Sequence, residues 1–454
     1  MSVAPVNMGQ GRVLSVLLRL GVPAMISMFF KNLYSLVDTV FVSWLGMAEL
    51  AALSLSVPLL YVALSLCKGL AVGSTALMSH ARGAGDQARA GVVARAALPL
   101  ALLVLTPFCL LALPALNQPL FALFEVGGDV LKPAGEFVFW LAWIFPVMGF
   151  AMLCESVFLS HGDSRTPMLA MIAGNVVNLG LDPLLIFSLK MGIAGASLAS
   201  LIGWAVTGAI LFVVLGRRGM DRPTLTCGRE GVAAWGGMIR LGFPVSLTLL
   251  IIPVSTAGLN YVLAGFGPAF VGAWNLSSRL EQMLILPIYG LTCALIPFVG
   301  FNMGQGNMER IREAVRLCIR ASYAVLIPAA VLMIVFVHAV FAVFNPGPEV
   351  AALAAHAFRL ALIGMALAPF DLIVLGVAQG ARRPGYSLFL GFVRLLALRL
   401  PLAFLFGHFL GGAGVYLSHP ASLLASGLLS LYLLRRLLNH VDETISAGAH
   451  RVAG

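Results

Sequence analysis

Charge is scarce in this chain. Only 10% of its 454 residues are Asp, Glu, Lys or Arg, against about 25% in soluble domains, so a water-facing globular protein is excluded. Cysteine is scarce as well. The six, at 67, 109, 154, 227, 293 and 318, fall mostly within apolar runs and show no C-x-x-C spacing. Neither a disulfide framework nor a zinc motif is expected. There is no phosphate-binding loop and no catalytic triad. His80, His161, His338, His356, His408, His419 and His440 are scattered toward helix ends or tails, so an enzyme, a metal centre and a cofactor are not expected. No cleavable signal is evident, since the first apolar run continues into a full span.

Apolar residues fill the space that charge leaves: 60% of the chain, with a mean hydropathy of +0.99. Runs of 20 or more recur along the whole length, each able to cross about 30 Å of hydrocarbon. They are too long for barrel strands, and helices satisfy their own backbone in lipid. The expected fold class is an all-α polytopic membrane protein with twelve transmembrane helices. The spans are read at 13–45, 50–80, 90–115, 132–160, 166–189, 193–216, 234–264, 269–300, 312–343, 350–379, 386–409 and 413–436.

The +10 net charge is a topology signal rather than a nucleic-acid footprint. Arginines cluster at every second connection and at both ends, from Arg12 to Arg436. The alternate connections hold Glu49, Glu125, Asp129 and Glu349. Basic residues stay in the cytoplasm during insertion, so both termini are expected there, in a cell inner membrane, facing anionic lipid.

The halves repeat. RLGVP at 19–23 answers RLGFP at 240–244, an offset of 221 that also carries GAGD (83–86) onto GQGN (304–307). An offset of 218 takes Arg165 to Arg383 and Pro183 to Pro401, and 219 takes Gly192 and Gly195 to Gly411 and Gly414. Six spans per half give both halves one orientation, hence two pseudo-symmetric six-helix lobes related by an axis along the membrane normal. The expected domains are an N-lobe (1–216), a linker (217–233), a C-lobe (234–440) and a cytoplasmic tail (441–454). Duplicated lobes of this kind usually transport, by rocking about a shared cleft.

Two acids stand out against the repeat. Asp38 maps to Leu259 and Asp182 to Leu400, so the scaffold does not need a carboxylate at either place. Counting helical rise, Asp38 lies about 12 Å below the outer boundary, and Asp182 lies at similar depth on span 5. A charge near mid-bilayer costs about 2.5–3.5 kcal/mol, which points to binding and release of a cation. Asn178, four residues before Asp182, shares its face. Pro183 frees a backbone carbonyl beside it.

These residues carry a resemblance. LYSLVDTVFVSWLG in span 1, NVVNLGLDPLLIF and GIAGASLAS in spans 5 and 6, the paired GAGD and GQGN loops and HGDSRTP together resemble multidrug and toxic compound extrusion (MATE) transporters, and look closest to their DinF-like branch. The resemblance implies a secondary active antiporter that exports organic, often cationic, compounds against inward H⁺ or Na⁺. By motif it implies cation coupling at Asp38 and Asp182, support from Tyr34, Asn178 and Ser200, and a bend at Pro23. Asp38, Asn178, Asp182 and Ser200 are equally able to ligate Na⁺ with hard oxygens. The chain departs from the branch at Lys31 and Glu155, which offer opposite charges on spans 1 and 4 and are expected to line the N-lobe cavity as an ion pair or singly. It also lacks the acid that NorM-like relatives have on span 7. Asp371 on span 10 is a cleft candidate or a partner for Arg394, and Glu281 a local stabiliser of the C-lobe. Met171 and Trp204 are candidate cavity walls for promiscuous organic substrates. The expected partners are a small organic molecule and membrane lipid, with the chain acting as a monomer. The alternative is a lipid-linked oligosaccharide flippase of the same wider superfamily, for which Lys31, Lys68, Arg394 and Arg399 would hold phosphates.

Overall fold

In the computed structural model, residues 6–122, 128–337, 341 and 347–453 are described, except for the side chains of 34–36, 120, 122, 128 and 448–453. No strand occurs among them. The helices are α1 (Val13–Ser43), α2 (Met47–Gly83), α3 (Gln87–Leu105), α4 (Pro114–Ala122), α5 (Gly128–Ser160), α6 (Arg165–Pro183), α7 (Ile193–Arg217), α8 (Arg229–Ala264), α9 (Pro268–Gly304), α10 (Met308–Val335), α11 (Pro348–Met365), α12 (Ala368–Gly380), α13 (Gly385–Phe392), α14 (Arg399–Val415) and α15 (Ser418–Ala453). Among the described residues, twelve spans are long and apolar enough to cross a membrane. They fall in one-to-one order with the twelve read from sequence.

The differences are local. The tenth expected span, 350–379, breaks between α11 and α12, just ahead of Pro369. The Tyr323 hydroxyl donates to the carbonyl of Ala366 at 2.6 Å, satisfying a backbone group that lipid would leave stranded. The twelfth runs on past its apolar stretch to Ala453, so residues of the expected tail are helical. Arg312 holds Asp442 of that extension at 2.7 Å. Spans 5 and 11 each contain a π-helical turn, Leu184–Ser188 and Val393–Leu398. The first directly follows Pro183, whose missing N–H loosens the ladder.

Contacts divide the chain into two units, Met1–Gln10 with Pro23–Ser246, and Gly11–Val22 with Leu247–Gly454. The divisions fall inside α1 and α8 rather than at the expected linker, 217–233. In the first unit α5 packs between α2 and α7, and α6 lies along α7. Its core includes Leu105, Phe121, Phe145, Met148, Cys154 and Phe158. In the second, α9 packs on α11 and α12, and these pack on α15, around Trp274, Phe341, Phe358 and Tyr416. The second unit therefore repeats the first's packing order of spans 2, 4 and 6 with spans 8, 10 and 12.

The duplicated loops fold alike. Gly85 and Gly306 adopt φ of +80° and +75°, a backbone region open to glycine at little cost. One residue later Asp86 accepts from the Arg89 N–H at 2.9 Å and Asn307 from the Arg310 N–H at 3.2 Å, each capping the helix that follows. In HGDSRTP, Asp163 caps α6 through the N–H groups of Arg165 and Thr166, both at 3.0 Å. Its second oxygen accepts from Arg218 at 2.7 Å, tying the start of α6 to the end of α7.

Candidate coupling site in the first unit

The site begins with a close helix crossing. A Cβ on Gly203 would lie 2.9 Å from the carbonyl oxygen of Gly174 and 3.0 Å from Asn178 Cβ. Only hydrogen at 174 and 203 lets α6 and α7 approach so nearly, the small-residue packing usual in membranes. One turn beyond Gly174, the Asn178 amide donates to Ser200 Oγ at 3.4 Å. Another turn on, Asp182 is completely buried.

Asp182 has no hydrogen-bond partner at either carboxyl oxygen, and Asn178 Oδ1 and Asp38 Oδ1 are also buried without one. Buried polar atoms are normally paired, so four orphaned oxygens on two helices, α1 and α6, are unusual. Asp38, half-buried on α1, exerts its charge on Asp182. The structure thus brings Asp38, Asn178, Asp182 and Ser200 into one electrostatic neighbourhood. All four offer hard oxygens, which suit H⁺ or Na⁺. The side chain of Tyr34 lies outside the described residues.

The other expected residues are placed as follows. Helix α1 is continuous through Pro23, yet the contact units divide immediately before it. Its carbonyl accepts from Ser27 Oγ at 3.0 Å. Lys31 and Glu155 form no ion pair within 4 Å. Lys31 instead feels both the repulsion of Lys68 and the attraction of Glu155. Met171 and Trp204 are half-buried, Trp204 against the unit's core.

Asp371 belongs to a separate network in the second unit. It is 3% exposed and accepts from Arg394 at 3.2 Å, Ser426 at 2.7 Å and Ser430 at 2.5 Å. Of the two roles read for it, the partnership with Arg394 is the one observed. Nearby, His419 Nε2 meets Glu281 Oε1 at 2.8 Å. Sequence reasoning missed His419, Ser426 and Ser430. The signal was present: Ser418, Ser422, Ser426 and Ser430 recur every four residues, a polar stripe on one face of an otherwise apolar helix.

A duplicated twelve-span bundle with orphaned acids buried in one half defines a membrane transporter rather than a scaffold. The sequence profile of the MatE family matches residues 23–184 and again 244–405, so the chain belongs to that family. The repeated match restates the duplication. An FAD transporter of Shewanella oneidensis is 28% identical over 441 residues, covering 94% of this chain and 96% of that protein. The probable multidrug resistance protein YoeA of Bacillus subtilis is 23% identical, covering 90% of each chain. A crystal structure of a MATE protein in complex with MaL6 superposes with a TM-score of 0.90 at 25% identity, over 97% of this chain and 100% of that one.

Proposed function

We propose that the protein is a secondary active exporter that expels small organic molecules as H⁺ or Na⁺ flows inward through the site at Asp38 and Asp182. The observation that carries this reading is the burial of both unpartnered oxygens of Asp182 within the field of Asp38. A bare carboxylate at that depth costs about 2.5–3.5 kcal/mol, and a bound cation removes most of the cost. An entering cation gains about 2.3 kcal/mol per charge per 100 mV. Alternating exposure of the site lets that gain drive substrate outward. Asn178 and Ser200 complete the oxygen set, Pro23 is the bending point of α1, and Met171 and Trp204 are cavity walls. The protein works as a monomer in the cytoplasmic membrane with both termini inside, its lobes being residues 1–216 and 234–440.

The test is dye efflux from proteoliposomes with a pH or a sodium gradient imposed separately. Wild type is expected to respond to one of them and Asp38→Asn to neither. Normal export by Asp38→Asn under both gradients would end the assignment.

A second reading concerns cargo. The Shewanella relative is described as an FAD transporter, and FAD is an anion. Two ammonium groups close enough for one to act on the other, Lys68 on Lys31, favour an anionic cargo for this chain too. Competition of dye efflux by FAD, compared between wild type and Lys31→Gln, separates the two cargo classes.

A further inference from the structure

The second unit contains a charged side chain that neither the coupling site nor the Asp371 network uses. Arg399, the first residue of α14, follows the π-helical turn directly and is 7% exposed. Its Nε is buried without a hydrogen-bond partner. The guanidinium lies over the ring of Trp274, 4.9 Å from carbon to centroid. Trp274 is itself buried, stacked near-parallel to Tyr416 and edge-on to His419 at 5.2 Å. Glu281, the acid whose charge acts on Arg399, is already engaged, because His419 Nε2 meets its Oε1 at 2.8 Å. Glu281 acts on Arg399 only through its field, as does Arg394. His419 Nδ1, on a residue 8% exposed, is also buried without a partner.

The repeat gives this place a meaning. The offset that carries Pro183 onto Pro401 sets Leu400 opposite Asp182, and Arg399 is its neighbour. The offset that carries Gly192 onto Gly411, both with positive φ, sets His419 opposite Ser200. Where the first unit buries a carboxylate with no hydrogen-bond partner, the second buries a guanidinium whose Nε has none. The two charges are opposite in sign and lie at adjacent positions of the repeat, Arg399 standing where the first unit has Leu181.

We infer that Arg399 and Trp274 form an anion-binding subsite in the second unit, which takes the carboxylate or phosphate of a planar aromatic solute. A guanidinium offers five N–H donors in a fixed fork suited to both groups, and a ring already carrying a cation on its face marks an aromatic box. The inference rests on the reading of the chain as an exporter for its biological role, but not for the binding itself.

Equilibrium binding of 5-carboxyfluorescein and of ethidium to the detergent-solubilised full-length protein, followed by fluorescence anisotropy, tests it. Arg399→Gln is expected to weaken carboxyfluorescein at least tenfold and leave ethidium unchanged. Arg399→Lys, which keeps the charge but loses the fork, is expected to weaken it a few-fold, and serves if the glutamine variant does not fold. Failure of wild type to bind carboxyfluorescein, unchanged affinity in the variants, or equal loss for both dyes would each overturn the proposal. Adding phosphatidylglycerol at a few molecules per protein is expected to have no effect; displacement of the dye would assign the site to a lipid headgroup and overturn the solute reading. Efflux in proteoliposomes separates this result from the functional one. If neither dye is exported yet Arg399 governs anion binding, the exporter reading fails and the subsite stands.

Discussion

Replacing Asp182 by asparagine should remove transport without harming the fold. Asp182 sits fully buried with two unpartnered oxygens, so the native protein gains no hydrogen bond from them. A charged carboxylate there costs about 2.5–3.5 kcal/mol, and a neutral amide left partly unsatisfied costs about 1–3 kcal/mol. Asparagine is close to isosteric, so packing is unchanged. The variant should therefore be between neutral and about 2 kcal/mol more stable, neutral if a proton already occupies the site. Sites that give up stability for activity commonly respond this way. Denaturant titration in detergent micelles reads the stability, and gradient-driven dye efflux reads the activity, which should fall at least tenfold. A loss of more than about 1 kcal/mol would mean that Asp182 is held by interactions like those of Asp371. Wild-type efflux would refute the role outright.

Asp371 should behave in the opposite way. With Arg394, Ser426 and Ser430 all donating to it, Asp371→Asn is expected to cost about 2–4 kcal/mol, less any screening at the quarter-exposed Arg394, while residual protein keeps its ion dependence; a double-mutant cycle with Arg394→Met should show coupling above about 1 kcal/mol. Gly203→Val is expected to wedge α6 from α7, lowering stability by about 1–3 kcal/mol and weakening cation dependence with it, whereas Gly180→Ala, which has open space, should do neither. In the loop between α5 and α6, burial and the Arg82 charge hold His161 down at about 4. The unfolded chain takes up that proton near pH 6.5, so stability is complete above 6.5 and declines as pH falls toward 4; His161→Asn should flatten that part of the pH–stability curve. Lys31→Gln should alter transport by similar factors with and without Glu155→Gln, since no direct pair joins them; strong non-additivity would mean that they meet during the cycle.

Much of the architecture was legible because lipid imposes it. Span count, order and duplication follow from hydropathy and from repeated loop signatures such as GAGD and GQGN, whose capping geometry proved equivalent. The break ahead of Pro369 was harder to read, because apolar residues continue on both sides and only the Tyr323 hydroxyl marks where the carbonyl goes. At the site, single acids in apolar runs were conspicuous, so Asp38 and Asp182 could be picked out along the chain, as could Asn178 one turn away. Their neighbourhood depended on Gly174 and Gly203, whose role is a missing side chain and so leaves no chemical trace in the sequence. Serine and histidine networks were the least visible. Ser426, Ser430 and His419 are small or ambivalent residues that gain meaning only through what α9 and α12 place against them.

The duplication supplies the deeper argument. Two halves built alike need only a common apolar scaffold, and their leucines at equivalent places show that the scaffold tolerates hydrocarbon there. A charge retained against that tolerance is a cost the fold does not require, so each such charge must be explained by what it binds. Asp371 and Glu281 are explained within the protein, by Arg394 and the serines and by His419. Asp182 and Arg399 are not, since each is buried with polar atoms that no described neighbour satisfies. The two proposals made above give each a partner from outside the chain, a cation for Asp182 and an anion for Arg399.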